Sequence, residues 1–262
     1  MSSSDYLPIE NYGVIGNMRS AALVGTNGSI DWFCFPHFDS PSIFASILDS
    51  QKGGHFSVCP SNSYKTKQFY WPDTNVLISR FLTNEGIVEV ADFMPVGTDV
   101  KGEKDYLMYR KISGINGTVR MTMECKPAFD YGRDSHEVVI SETGAAFHSG
   151  SLSMGLASSI PLEVTGDSAS VEFTLHSDDS VIFVLHQVSK GEPARNITGP
   201  KRAEKALHDT LHFWRNWIAG SQYKGRWREK VNRSALILKL LTFEPTGAIV
   251  AAVTCSLPED IG

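Results

Sequence analysis

Three pairs of neighbouring carboxylates are the first candidates for chemistry in this 262-residue sequence, since two carboxylates can act as a general acid and a general base. The pairs are Glu89 with Asp92, Asp178 with Asp179, and Glu259 with Asp260. They lie at strand ends, in a turn and at the end of the sequence, where acidic residues usually cap turns or face solvent. We therefore predict no catalytic acid–base pair, and we expect no catalytic residue in this chain.

Two histidines, His208 and His212, lie one helical turn apart, as in zinc-binding helices. Asp209 stands where such helices carry a glutamate base, and the sequence offers no evident third ligand. We interpret both histidines as flanking the apolar stripe of a helix, and we expect neither a metal site nor a cofactor. Gly13-Val-Ile-Gly16 also lacks the third glycine of a dinucleotide site.

The segment from Asp31 to Asp39 (DWFCFPHFD) combines aromatic rings with polar groups, the combination on which sugar rings stack and form hydrogen bonds. Packing in a hydrophobic core is the alternative, and it is the favoured one. The candidates for a role at the rim of a substrate site or at a domain interface are Asp31, Trp32, His37 and Asp39.

Composition excludes several classes of protein. With 42% apolar and 20% charged residues the chain is typical of folded globular proteins. A formal charge of −5 gives no electrostatic reason to bind nucleic acid or an anionic membrane. The start lacks a signal peptide, so we predict a cytoplasmic protein with no membrane partner. The cysteines, predicted to be reduced thiols, are Cys34, Cys59, Cys125 and Cys255.

The first 189 residues are predicted to be a large antiparallel β-sandwich, because short runs of period two alternate with turn residues. Val119 to Cys125 has one apolar face, and Val181 to Leu185 is apolar throughout, as in a central strand. Asn27-Gly28 predicts a tight hairpin. A short helix is predicted from Ser40-Pro41 to Gly53. Further predicted strands are 76–82, 87–91, 107–112, 138–141, 145–148, 152–156, 162–164 and 171–175.

The remaining chain is predicted to be helical. A glycine- and proline-rich stretch begins a linker at 190–224, which contains a helix over 201–219, and 225–262 forms a third unit. The helix predicted over 226–243 is apolar nearly all round in its second half, so it requires neighbours on most sides. Since this chain supplies few, the sequence looks cut short.

Several stretches resemble the N-terminal part of glycoside hydrolase family 15, the glucoamylase, glucodextranase and trehalase-like group. The stretches are IENYGVIGNMRSAALVGTNGSIDWFCFPHFDSPSIFASILD, KQFYWPDTNVLISRFL, EVADFMP, KPAFDYGR and LILKLLTFEPTGAIVAAVTCSLPEDIG. The resemblance implies an N-terminal super β-sandwich, a linker helix and the first helix of an (α/α)6 barrel. It places both catalytic glutamates beyond Gly262, and Val253-Thr254-Cys255 replaces the more usual Pro-Thr-Thr.

This resemblance supports further candidates and two hypotheses. In the family, the stretch that ends at Gly262 leads into the substrate-binding end of the barrel. The resemblance therefore adds Thr254, Ser256 and Glu259 to the rim or interface candidates. The first hypothesis is a non-catalytic domain of an inverting enzyme that cleaves α-glucosides, either maltooligosaccharides or trehalose, when complete. The alternative is a stand-alone sandwich that binds a carbohydrate, another small molecule or a partner subunit, with a homo-oligomer through residues 226–243.

Overall fold

The structure, a computed structural model, describes residues 6–96 and 106–254. Its fifteen strands form two antiparallel layers that share one long strand, which confirms the predicted mainly β fold. The strands are β1 (Tyr12–Gly16), β2 (Ala21–Gly25), β3 (Ser29–Cys34), β4 (Ser42–Phe44), β5 (His55–Pro60), β6 (Lys65–Tyr70), β7 (Leu77–Leu82), β8 (Gly86–Phe93), β9 (Met108–Lys126), β10 (His136–Ser141), β11 (Gly144–Ser149), β12 (Ser153–Ser158), β13 (Glu163–Thr165), β14 (Ser168–His176) and β15 (Ser180–Gln187). The helices are α1 (Phe129–Gly132), α2 (Pro200–Ala219) and α3 (Arg228–Leu240), and a 3-10 turn spans Ile9–Asn11.

The shared strand is β9, which is nineteen residues long. The second half of β9 pairs with β5 and β14 in the first sheet, which also contains β1 to β4 and β13. The first half pairs with β8 and β15 in the second sheet, which also contains β6, β7 and β10 to β12. Two glycines lie where β9 passes between the layers. A side chain at Gly114 would collide with the carbonyl of His176, and Gly117 has a φ of 71°. The sequence predicted two separate strands here because these glycines interrupt the apolar alternation.

The core lies between the two sheets, and two predicted patterns are confirmed there. Val119, Met121 and Met123 are buried, whereas the residues between them face outward. β15 lies between β9 and β12 and is buried from Val181 to Leu185, as predicted for a central strand.

The predicted hairpin at Asn27-Gly28 is confirmed, with Gly28 at a φ of 83°. The helix predicted from Ser40 to Gly53 is wrong. Ser42–Phe44 is instead strand β4, and Phe44 lies opposite Phe33 of β3. Ile43 and Phe44 are of the β-branched and aromatic types that suit strands, and as a strand they are almost fully buried, so the contact with β3 overrides the helical signals.

The two longer helices are also confirmed, with slightly different ends. α2 begins at Pro200 and covers the outer face of the second sheet with Ala203, Leu207 and Leu211, and further along it buries Trp214. α3 buries Leu236 and Leu240, but Leu238 is 56% exposed. The helix is therefore packed on one side only.

Two further observations concern the whole described region. None of its helices has the length and apolar character needed to cross a membrane. Cys59 and Cys125 are free thiols, as predicted, Cys34 is buried, and Cys255 lies outside the described residues.

Candidate functional site

The sequence-predicted candidates surround the place where the end of the described chain returns to the N-terminal strands. After α3, residues 241–250 form a small hairpin, which we call the C-terminal hairpin. The backbone N–H of Phe243 donates to Ala248 at 2.7 Å, and that of Val250 donates to Leu241 at 3.0 Å. Gly247, with a φ of 76°, makes the turn between these two arms.

Polar contacts hold the C-terminal hairpin against the loop between β1 and β2. The Arg19 guanidinium lies 2.9 Å from the Glu244 carboxylate, and the backbone N–H of Glu244 donates to the carbonyl of Met18 at 2.8 Å. Met18 has a φ of 64°, in the left-handed region that residues other than glycine rarely adopt. The two segments therefore have one defined arrangement.

Aromatic packing adds to this contact and involves the predicted candidate His37. The Phe243 ring lies edge-on to His37 at 5.8 Å and to Phe38 at 6.3 Å, measured between ring centroids. On its other side His37 forms a hydrogen bond between Nε2 and the Tyr106 hydroxyl at 2.9 Å. His37 thus lies at the interface between the sandwich and the C-terminal hairpin, while Asp39 lies two residues further on at the exposed surface.

Trp32 lies on the outer face of β3 and is nevertheless fully buried. It packs with Ala45, Ile47, Tyr131 and Val253, the last of which comes from the segment after the C-terminal hairpin. Its indole Nε1 has no hydrogen-bond acceptor among the described residues. A buried donor without an acceptor costs about 1–3 kcal/mol.

Asp31 is 8% exposed and accepts hydrogen bonds from the Tyr12 hydroxyl at 2.8 Å and from the Ser29 hydroxyl at 2.5 Å. Burial, with Asp31 adding to it, raises the pKa of the Tyr12 hydroxyl well above its ordinary value. The tyrosine therefore remains a donor at neutral pH. These bonds join β1 to the β2–β3 hairpin, so the Asp31 carboxylate is engaged in holding strands together.

The last three candidates lie at the end of the chain. Thr254 is half-buried and follows Val253, which packs against Trp32. Ser256 and Glu259 lie outside the described residues. The structure thus brings Trp32, His37 and the segment that ends at Thr254 to one region.

Sequence reasoning missed the partners that make this region an interface. Phe243 was assigned to a helix by its apolar spacing, and Tyr106 lies outside every motif that the sequence analysis singled out. The pairing of Arg19 with Glu244 joins positions 225 residues apart. No local signal in a single sequence can indicate such a contact.

Three members of the acidic pairs have structural contacts within the described residues, and Glu259 with Asp260 lies outside these residues. Glu89 forms an ion pair with Arg80, and the Asp179 carboxylate accepts a hydrogen bond from the backbone of His176 at 2.9 Å. The carboxylate of Asp92 pairs with the guanidinium of Arg110, and both side chains are fully buried. Within the described ranges no group of three or more histidine, cysteine or acidic residues is placed to hold a metal ion.

The two histidines of α2 lie on its surface. Their rings stack at 6.1 Å, and the His208 side chain is largely exposed. Nδ1 of His212 forms a hydrogen bond with the side-chain amide of Asn216 at 2.8 Å. These contacts agree with the interpretation that both histidines flank the buried stripe of the helix.

Comparison with known proteins assigns the sequence to a family. The model of the family "Trehalase-like, N-terminal" matches residues 1–209. Proteins named trehalase are similar to the chain: that of Thermoplasma volcanium is 36% identical over 98% of this chain, and that of Mycolicibacterium smegmatis is 31% identical over 96%. In both cases the match spans 41% of the relative's own length.

A solved structure shows the same fold. It is a protein from the human microbiome provisionally named a kojibiose phosphorylase, with a TM-score of 0.54 and 10% sequence identity. The match covers 92% of this chain and 41% of that one. At this identity the likeness concerns the fold alone.

Proposed function

The chain belongs to the trehalase-like N-terminal family, and from this membership we propose that it is a non-catalytic domain of an enzyme that hydrolyses α-glucosides. Trehalose is the first substrate to test, because similar proteins from archaea and mycobacteria are named trehalases. Maltooligosaccharides are the second, from the resemblance to glycoside hydrolase family 15. The chain spans about two fifths of the length of these relatives, and the reaction is assigned to the complete enzyme.

The observation that carries the proposal is the packing of the C-terminal hairpin on the sandwich. Phe243 and Glu244 fix the chain after α3 against His37 and Arg19, and Val253 then packs against Trp32. A catalytic part that follows this segment would begin at a fixed position and orientation relative to the sandwich. The function of the sandwich is then to fold, orient and support that part.

The chemistry of the reaction supports a division of labour. An inverting glycosidase needs a carboxylic acid and a carboxylate about 6.5–9.5 Å apart, on opposite sides of the scissile bond. Of the carboxylates weighed in the sequence, Glu89 and Asp92 are held by cations and Asp179 by a backbone N–H. We therefore assign the acid and the base to the remainder of the enzyme, in keeping with single-displacement inversion.

The candidate residues take different roles in this proposal. Trp32 and Thr254 would support the face from which the catalytic part continues, since Val253 packs against the cluster that contains the fully buried Trp32. His37 supports the C-terminal hairpin through Phe243. Asp39 is exposed and free to reach a neighbouring domain, whereas Asp31 acts inside the sandwich.

A second candidate function rests on the outer face of α3. Trp227, Val231 and Leu238 follow helical spacing, and all three are exposed. A stand-alone sandwich protein would bury this stripe in a homodimer through residues 226–243. Light scattering distinguishes the two: a dimer that Leu238→Lys dissociates supports the stand-alone protein, and a stable monomer supports the domain of a larger enzyme.

The direct test is an activity assay paired with a mass measurement. The purified 262-residue protein should release no glucose from trehalose, maltose or isomaltose, and release of glucose would refute a non-catalytic role. Affinity capture of the endogenous protein should give a mass well above 28.8 kDa together with trehalase activity. Capture of a 28.8 kDa protein without associated activity would refute the proposed enzyme.

A further inference from the structure

Strand β6 has a free edge on the second sheet. It pairs with β7 on one side, and no strand within the described ranges pairs with its other side. Its residues alternate strictly between exposed and half-buried positions from Lys65 to Tyr70. An edge strand of this kind presents unpaired backbone N–H and C=O groups to solvent.

The inward side chains of β6 hold the strand in place. Gln68 donates from Nε2 to the carbonyl of Val24 at 3.2 Å and to the hydroxyl of Ser79 at 3.1 Å. The Tyr70 hydroxyl donates to the carbonyl of Val14 at 3.0 Å. The edge is therefore fixed in an extended conformation before any partner binds, which lowers the entropy lost on binding.

The outward side chains of β6 are basic and aromatic. Lys65, Lys67 and Phe69 point to the outer face at alternate positions, and Trp71 follows in line. Neither lysine forms an ion pair with a carboxylate in the part of the chain that the structure describes. In a protein of net charge −5 this edge is a local site of positive charge that attracts acidic groups.

Lysines on an edge strand often serve only to prevent unwanted pairing. That role does not account for the aromatic residues, because Phe69 is 40% and Trp71 is 37% exposed. The Arg80 guanidinium lies 5.5 Å from the centre of the Phe69 ring and supports it at the surface. An edge that combines two unpaired cations with an exposed ring is suited to selective binding.

We propose that the free edge of β6 binds an extended acidic segment of a partner protein, which joins the sheet as an additional strand. Backbone hydrogen bonds would supply affinity, and side chains at alternate positions would supply specificity. Facing side chains on neighbouring strands lie about 5 Å apart. The partner segment therefore carries acidic residues opposite Lys65 and Lys67 and an apolar residue opposite Phe69.

A second copy of the chain is a poor match for this edge. The other described strands that pair on one side only are β1, β4, β10 and β13. Each contains at most one acidic residue, Glu137 in β10 and Glu163 in β13. The pattern that β6 selects needs two acids at alternate positions, so none of these described edges matches it.

The test is fluorescence anisotropy with the whole 262-residue protein and labelled six-residue peptides. Each peptide has glutamate at two alternate positions, valine at the third and threonine between them, in both sequence orders. The double variant Lys65→Glu with Lys67→Glu should weaken binding at least tenfold. The control is Lys111→Glu, which reverses one positive charge rather than two, on the same sheet face three strands away, and should weaken binding less than twofold.

A second measurement tests the backbone contact. Peptides N-methylated at alternate residues keep their charge but lose donors, and they should bind at least tenfold more weakly. The proposal is overturned, in favour of nonspecific attraction, if the N-methylated peptide binds as tightly as the unmodified one. It is also overturned if Lys111→Glu weakens binding as much as the double lysine variant. A dimer of the protein that the double lysine variant dissociates would also overturn it, in favour of a contact between copies.

Discussion

The buried ion pair between Arg110 and Asp92 should be the largest single-residue contribution to stability in the sandwich. Arg110 donates to the Asp92 carboxylate at 2.8 Å and 3.3 Å and to the carbonyls of Phe56 and Gly28 at 2.5 Å and 2.7 Å. Arg110→Met would leave a buried carboxylate without its cation and remove one donor from each of two carbonyls, of which that of Gly28 still accepts from the backbone N–H of Val58. Removing one partner of such a pair costs about 3–5 kcal/mol, a large part of a typical ~5–15 kcal/mol stability.

The assay is urea unfolding followed by the fluorescence of the five tryptophans. The matched control is Arg80→Met, which removes a cation from the half-exposed pair with Glu89 and should cost about 0–1 kcal/mol. Arg110→Met combined with Asp92→Leu should recover part of the loss, since no charge then stays buried alone. A cost for Arg110→Met within about 1 kcal/mol of the control would refute this account of the pair.

The pH dependence of the same variant provides an independent check. Burial raises the pKa of the Asp92 carboxyl, and the Arg110 guanidinium opposes this effect. Without the guanidinium the folded-state pKa rises further above the unfolded value. A raised folded-state pKa gives stability that is present below the unfolded pKa and lost as the pH rises through the folded one. The deficit of Arg110→Met should therefore shrink as the pH falls toward about 4.

Three more predictions concern tyrosine ionisation and the region of the C-terminal hairpin. Burial, with nearby Cys59 adding to it, raises the pKa of Tyr64 to about 12, so stability present below pH ~10 should be lost between pH ~10 and ~12. The urea midpoint should fall over this pH range, and it should fall less in Tyr64→Phe. An equal fall in both proteins would contradict the prediction. Phe243→Ala should cost about 1–2 kcal/mol and expose the C-terminal hairpin to proteases, whereas exposed Trp227→Ala should change stability by less than about 0.5 kcal/mol. Equal proteolysis of the two variants would argue against the aromatic contact. Trp32→Phe shortens a fully buried ring and should cost about 1–3 kcal/mol of unfolding free energy in this chain, and it should lower the activity of the complete enzyme; full activity would exclude a role for the indole ring.

Patterns within single elements predicted most of the fold. The alternation of Val119 to Cys125, the apolar run of β15 and the spacing of α2 each depend on which face of one element is buried. The strands β5 and β6 were missed, and the converse reason holds for β6 alone, since β5 buries Phe56 and Val58 on one side. β6 places lysines outward and Gln68 and Tyr70 inward, so its buried side is polar and is held by hydrogen bonds to β1 and β2.

The candidate site was much harder to predict, because its residues acquire their roles from distant partners. Asp31 and Trp32 were candidates for a substrate rim or an interface, with core packing favoured. Tyr12 and Ser29 now account for the Asp31 carboxylate, and Val253 packs against the cluster that contains the buried Trp32. The segment around Trp32 was still found, since aromatic and polar residues rarely alternate so densely without reason. Composition thus located the region, and only the fold separated Asp31, which holds strands together, from Trp32, whose N–H still lacks an acceptor among the described residues. That difference makes Trp32→Phe, in the complete enzyme, the variant that separates a supporting face from a passive core.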